Sequence, residues 1–131
     1  MNANNFRIGN LVNTDFSESN IKTIVELKHK AASVKYIRTD TNEPHQSMVD
    51  YDRLIPIPLT EEILLKIKGI EYSNGEYNLS IEDASMKIFF YDCWRINITS
   101  EDFDITYEGL PKVHELQNMF ALTGKELTIT L

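Results

Sequence analysis

Cysteine is almost missing from this chain: Cys93 is the only one, so no disulfide can close within it. No apolar run approaches the roughly 20 residues that a membrane-crossing helix requires. The opening Met1-Asn2-Ala3-Asn4-Asn5 is polar and lacks the apolar segment of a secretory signal. Together these absences make a reducing cytoplasm the expected setting. Glycine and proline are sparse, at five and four residues. The patterns G-x-x-x-x-G-K, G-x-S-x-G, H-E-x-x-H and C-x-x-C do not occur. Nucleotide-loop, serine-hydrolase, zinc-protease and dithiol chemistries therefore have no support, and no cofactor, metal or enzymatic role is expected.

What the chain does have is an ordinary globular balance, 42% hydrophobic and 25% charged over 131 residues. That length suits one domain over 1–131, and a chain of this size buries about two-thirds of the surface its unfolded form exposes. It can fold without a staple. The net charge of −7 is unevenly placed. Residues 1–57 carry seven basic and seven acidic side chains; residues 58–131 carry six and thirteen. An acidic second half repels phosphate backbones. In the neutral first half, Lys22, Lys28, Lys30, Lys35 and Arg38 are the candidates for a nucleic-acid or acidic-partner patch, against the plainer reading of a solvated face.

Period-2 alternation runs through most of the sequence, which is how half-buried strands read. Tyr77, Leu79 and Ile81 alternate with polar neighbours, as do Trp94, Ile96 and Ile98, then Phe103, Ile105 and Tyr107, then Leu127, Ile129 and Leu131. One apolar and one wet face predicts antiparallel sheet. Residues 86–91 are apolar on both faces and belong at the centre of a sheet. Asn74-Gly75 predicts a tight hairpin turn, because both residues tolerate positive φ. Further strands are predicted at 6–13, with a bend at Gly9-Asn10, and at 21–28 and 33–38. Residues 39–46 read as an exposed connection. Pro56 and Pro58 make 54–58 an extended crossing segment or an edge.

Two helices stand out. In 60–68, Thr60 is a good N-cap, Glu61 and Glu62 suit the first turn, Leu59 and Leu64 have staple spacing, and Gly69 suits the end. In 111–123, Pro111 opens and Gly124 closes, with Val113, Leu116 and Phe120 as the core stripe and Met119 and Leu122 beside it.

His114, Gln117 and Asn118 share one side of the second helix by their i, i+3, i+4 spacing. Each can donate and accept hydrogen bonds, so the row is a candidate ligand or catalytic site; the alternative is a solvent side. Trp94, with Phe89, Phe90 and Tyr91, is a candidate for stacking a base or sugar, and core packing is the cheaper explanation. Glu101, Asp102, Asp104 and Glu108 are dense in carboxylate but lack the ordered spacing of a calcium loop. Cys93 has Asp92 beside it, which opposes thiolate formation. His29 and His45 have no partner at ligand spacing.

Three stretches carry a resemblance. They are Phe6-Arg7-Ile8-Gly9-Asn10-Leu11-Val12, Ile55-Pro56-Ile57-Pro58-Leu59-Thr60-Glu61-Glu62-Ile63-Leu64, and the run from Val113-His114-Glu115-Leu116-Gln117-Asn118 through Lys125-Glu126-Leu127. In this order they resemble a family of small uncharacterised bacterial proteins, often encoded among prophage and mobile elements. The resemblance implies a bacterial or phage accessory setting and carries over no function or site residue. The opening also resembles SH3-like barrels.

The expected fold is α+β and mainly antiparallel, with an SH3-like meander over 1–58 and a helix, strands, helix, strand arrangement over 59–131. The expected function is that of a non-enzymatic interaction protein whose protein partner the residues do not name. A nucleic-acid module and a site around His114 are the alternatives. Exposed edge strands permit a homodimer.

Overall fold

The structure, a computed structural model, describes residues 6–15, 21–38 and 40–130. The chain forms two compact units, Met1–Ile57 with Val113–Glu115, and Pro58–Lys112 with Leu116–Leu131. Both are built on antiparallel sheet, so the mainly antiparallel α+β class stands.

The first unit contains β1 (Leu11–Thr14), β2 (Lys22–Leu27), β3 (Ala31–Ile37), β4 (Pro44–Asp50), a 3-10 turn (Tyr51–Arg53) and β5 (Leu54–Ile55). Its strand order is β4-β3-β2-β1-β5, with β5 returning to pair β1 through Asn13↔Ile55 and Thr14↔Leu54. Phe6, Val12, Ile24, Ala32, Val34, Tyr36, Val49, Tyr51 and Leu54 form its core. Their alternation along β3 and β2 is the period-2 pattern in physical form, one face of each strand burying its side chains. The bend foreseen at Gly9-Asn10 is a turn in which Gly9 has φ +95° and Asn10 Oδ1 accepts from the Arg7 N–H at 2.6 Å. It delays the first strand to Leu11.

One expectation here is corrected. Residues 39–46 are not a single connection, because Pro44 opens the seven-residue strand β4, paired to β3 from Ile37↔Pro44 to Ala31↔Asp50. Proline is tolerated there because β4 is an edge strand and Pro44 is its first residue. Thr39 lies outside the described residues.

The second unit contains α1 (Glu61–Leu64), then β6 (Glu71–Ser73), β7 (Glu76–Ile81), β8 (Ala84–Tyr91), β9 (Cys93–Thr99) and β10 (Asp104–Gly109) in the order β10-β9-β8-β7-β6. β8 is central, as expected, but it is buried on one face only: Met86 and Ile88 are buried, Lys87 and Tyr91 exposed. Tyr77, Leu79, Met86, Ile88, Trp94, Ile96 and Ile98 are buried and lie on one face by their register. The other face is polar: Arg95 bonds Glu108 at 2.5 Å, and Asn97 Nδ2 donates to Asp104 Oδ1 at 2.8 Å.

Thr60 caps α1 as expected, its hydroxyl accepting the Ile63 N–H at 3.3 Å. The helix is shorter than the predicted 60–68. Lys66 and Ile67 donate to carbonyls only three residues back, and the Lys68 N–H turns away to Thr128 O at 2.7 Å. That same exchange replaces the strand predicted at the C-terminus with an isolated bridge, Ile67↔Ile129; Leu131 lies outside the described residues. The second helix, α2, spans Val113–Ala121, and Val113, Leu116 and Phe120 are fully buried. Its end tightens as Thr123 N–H and Oγ1 both donate to Phe120 O, before Gly124 at φ +84°.

Candidate functional site

The hairpin β6–β7 turns at Asn74 (φ +53°) and Gly75 (φ +82°), two left-handed residues whose twist matches the flanking strands. This turn fixes the register Tyr72↔Tyr77, and the two rings lie 4.7 Å apart. At the same end of the sheet, a single residue, Asp92 at φ +66°, reverses the chain between β8 and β9. It sets Phe90 opposite Trp94, with ring centroids 5.1 Å apart in an edge-to-face arrangement. Tyr77 and Trp94 complete the line at 6.3 Å. The result is a row, Tyr72–Tyr77–Trp94–Phe90, on the apolar face of the second unit's sheet.

The row is buried at its middle and open at its ends. Tyr77 and Trp94 are 3% and 6% exposed, while Tyr72 and Phe90 are 55% and 56% exposed. Leu110, just past the Gly109 that pairs with Trp94, is also exposed. The Tyr77 hydroxyl donates to Glu61 Oε1 at 2.8 Å. Burial, and then this hydrogen bond to a carboxylate, push the Tyr77 phenol up to about 12. It stays a neutral donor throughout the ordinary pH range. Chemically, such a row offers π faces and apolar edges to a flat or cationic group.

Of the residues singled out in the sequence, Trp94 and Phe90 lie in this row, while Phe89 is half-buried and Tyr91 exposed. His114 and Gln117 are buried rather than solvated, and Asn118 is half-buried. The His114 ring lies 4.5 Å from that of Phe6, within the first unit. The five basic residues are dispersed in environment. Lys22 has no exposed surface, and its ammonium lies 5.2 Å from the centroid of Tyr36. Lys28 pairs with Glu26 at 3.4 Å, and Arg38 with Asp40 at 2.7 Å. That guanidinium holds the Asp40 carboxyl below its ordinary value. Lys30 and Lys35 are exposed. Cys93 is half-buried at the start of β9.

Sequence reasoning missed a cleft of about 400 Å³ in the first unit, lined by His29, Lys30, Asp50, Tyr51 and Asp52. The Tyr51 hydroxyl donates to Lys28 O and its N–H to Lys30 O, tying the β2–β3 turn to the end of β4. Only the pairing of β3 with the unforeseen β4 brings these residues together. Tyr72 and Tyr77 were also missed as a pair, although the predicted hairpin implied their facing register. Among the described residues, no three of His, Cys, Asp and Glu gather as metal ligands, and no helix is long and apolar enough to cross a membrane.

Compared with protein-family models, with curated proteins and with solved structures, the chain finds no match.

Proposed function

We propose that this protein is a non-enzymatic interaction module and that the aromatic row of the second unit meets a protein partner. The observation that carries this reading is the half-exposure of Tyr72 and Phe90 at the ends of a row whose centre is buried. Isolated apolar residues on a surface need no explanation, but aromatic ones continuous with a buried cluster are what protein interfaces recruit. Rigid rings anchored by Tyr77 and Trp94 lose little side-chain freedom on binding.

The first unit adds a second element to the proposal. Four meandering strands, a 3-10 turn and a short fifth strand returning to β1 support an SH3-like reading of this half. The resemblance of the opening, central and closing stretches supports a bacterial or phage accessory role, in the cytoplasm. A nucleic-acid role is the weaker reading, since Lys22 is buried and Lys28 and Arg38 already face carboxylates.

The test is capture from a lysate of the cells that carry the gene, with and without nuclease, using the native chain and a Tyr72→Leu/Phe90→Leu variant. The reading requires a protein that survives nuclease and is lost with the two rings. Capture that is indifferent to the rings, or abolished by nuclease, overturns it.

A further inference from the structure

Each sheet ends in two edge strands, and three of these edges are protected against a further strand. β5 and β6 are only two and three residues long. β10 has six residues, and the Ser100 N–H bonds Phe103 O at 2.9 Å at the start of its ladder with β9. Exchanging and non-exchanging pairs alternate from there, so Asp104, Thr106 and Glu108 turn their backbone groups outward. A copy laid along β10 about Thr106 sets Asp104 against the partner's Glu108, and like charges directly opposite are destabilising.

β4 lacks that protection. It is seven residues long, contains no lysine or arginine, and pairs β3 without a bulge from Ile37↔Pro44 to Ala31↔Asp50. The Arg38 N–H bonds Glu43 O at 2.9 Å and the Tyr51 N–H bonds Lys30 O at 3.3 Å, which fixes the alternation between them. His45, Ser47 and Val49 therefore exchange backbone bonds with β3. Gln46, Met48 and Asp50 turn their N–H and C=O groups to the outer edge. All three are exposed, Met48 at 55%, and among the described residues no strand lies beyond them. Pro44 has the same outward parity and offers no N–H there, so it ends the usable edge.

We infer that β4 pairs antiparallel with the β4 of a second copy of this chain, about a two-fold axis at Met48. That register keeps Gln46, Met48 and Asp50 in the ladder and leaves Pro44 outside it. Shifting the axis to Ser47 brings Pro44 into a bonding position, and shifting it to Val49 runs Gln46 into the 3-10 turn. At the axis, the exposed Met48 meets the partner's Met48 and both lose apolar surface to water. On either side, Gln46 meets the partner's Asp50, an amide donor against a carboxylate. Lys35, the cross-strand neighbour of Gln46, shares its face and stands about 10 Å from that carboxylate, two strand spacings away. Residues 1–57 carry seven basic and seven acidic side chains, so two first units meet without net repulsion. An unrelated strand would use the same backbone groups, but these side chains match a copy. The contact uses the first unit alone and is independent of the aromatic row.

Sedimentation of the full chain over a range of concentrations reads the association, since a seam of one strand is a small interface. A mass rising toward twice that of the chain is expected. Met48→Lys sets two ammonium groups at the axis and should weaken the dimer about tenfold or more. Thr106→Lys, on β10, should change it by less than about twofold. In a Cys93→Ser background, Met48→Cys should oxidise to a disulfide-linked dimer, because the two positions face each other about 5.5 Å apart. Gln46→Cys should not, because its two copies lie some 13 Å apart along the strands, beyond the roughly 7 Å that a disulfide spans.

A single-chain mass at every concentration up to about 1 mM overturns the inference. So does equal cross-linking of the two cysteine variants, which would mean chance collision. A dimer lost in Thr106→Lys and kept in Met48→Lys moves the seam to β10, and one dissolved by Tyr72→Leu/Phe90→Leu moves it to the aromatic row; both overturn it. A single-chain mass together with a captured protein lost in Met48→Lys assigns the edge to a foreign strand instead. None of these results bears on capture through the rings, which the Tyr72→Leu/Phe90→Leu variant tests separately.

Discussion

The Tyr77 hydroxyl donates a 2.8 Å hydrogen bond to Glu61 Oε1, fastening the middle of the aromatic row to the first turn of α1. Tyr77 is buried, whereas Glu61 is exposed, so water can replace the tyrosine at the carboxylate but not the carboxylate at the tyrosine. Tyr77→Phe removes both the bond and the polar atom, and should cost only about 1 kcal/mol. The variant also changes the response to alkali. With the phenol pushed from 10.0 to about 12 in the folded chain, the proton is held more tightly folded than unfolded. The stability tied to it is therefore complete below pH 10.0 and lost as pH rises toward about 12, by at most about 1.4 kcal/mol per unit. Urea unfolding midpoints at pH 9 and at pH 11 should fall further for the native chain than for Tyr77→Phe. Equal falls would show that Tyr77 titrates normally.

Gly75 sets the register that brings Tyr72 against Tyr77, through its φ of +82°. A Cβ at this position meets nothing within 4 Å, so the cost of Gly75→Ala is backbone strain alone. That strain is about 1–2 kcal/mol. The substitution should lower the unfolding midpoint accordingly and blue-shift nothing at Trp94, two strands away. A larger loss, or a change in Trp94 emission, would mean that the turn governs more of the sheet than its own hairpin.

The parts of this architecture that local chemistry dictates were legible in the residues. Asn74-Gly75, the Thr60 cap, the Val113–Leu116–Phe120 stripe and the central position of β8 all lie where their patterns place them, although β8 buries only one face. What escaped is decided by pairing over distance. Pro44, His45, Gln46 and Ser47 have no strand signal of their own, and β4 exists because β3 offers it a partner. The alternation of Leu127 and Ile129 is a genuine strand pattern that finds only one bridge, to Ile67. For the candidate site, Trp94 was legible as an aromatic. Phe90 was named with it; Tyr72 and Tyr77 were not, because they reach Trp94 only through the register of separate strands.

His114 is 3% exposed, and its ring lies 4.5 Å from that of Phe6. A side chain so placed acts first as packing. His114→Ala should destabilise the protein by about 2–4 kcal/mol, the range for emptying a core position. Below its melting temperature the variant should still bind through the aromatic row. A stable His114→Ala protein that loses its partner would instead return the helix row to candidacy as a site.

Lys22 carries the sharpest contrast between sequence and structure. It was grouped with the basic residues of the first half, yet it shares the buried face of β2 with Ile24, two positions on, and has no exposed surface. Its ammonium stands 5.2 Å from the Tyr36 ring, whose hydroxyl lies 3.2 Å from Ser47 Oγ, and Lys22 has further interactions besides. Parity along the strand was the available signal, since period 2 puts residue 22 in phase with residue 24. Lys22→Ala should therefore act on folding, at about 2–4 kcal/mol, by removing a buried stem and the charge it places over Tyr36. Lys30→Ala and Lys35→Ala, at exposed positions, should stay within about 0.5 kcal/mol of the native chain. Any weak binding of oligonucleotides should keep the same salt dependence in Lys22→Ala as in the native chain, because a side chain without exposed surface releases no counterions. A flatter salt dependence in that variant, with stability unchanged, would place Lys22 at a nucleic-acid surface and overturn its burial.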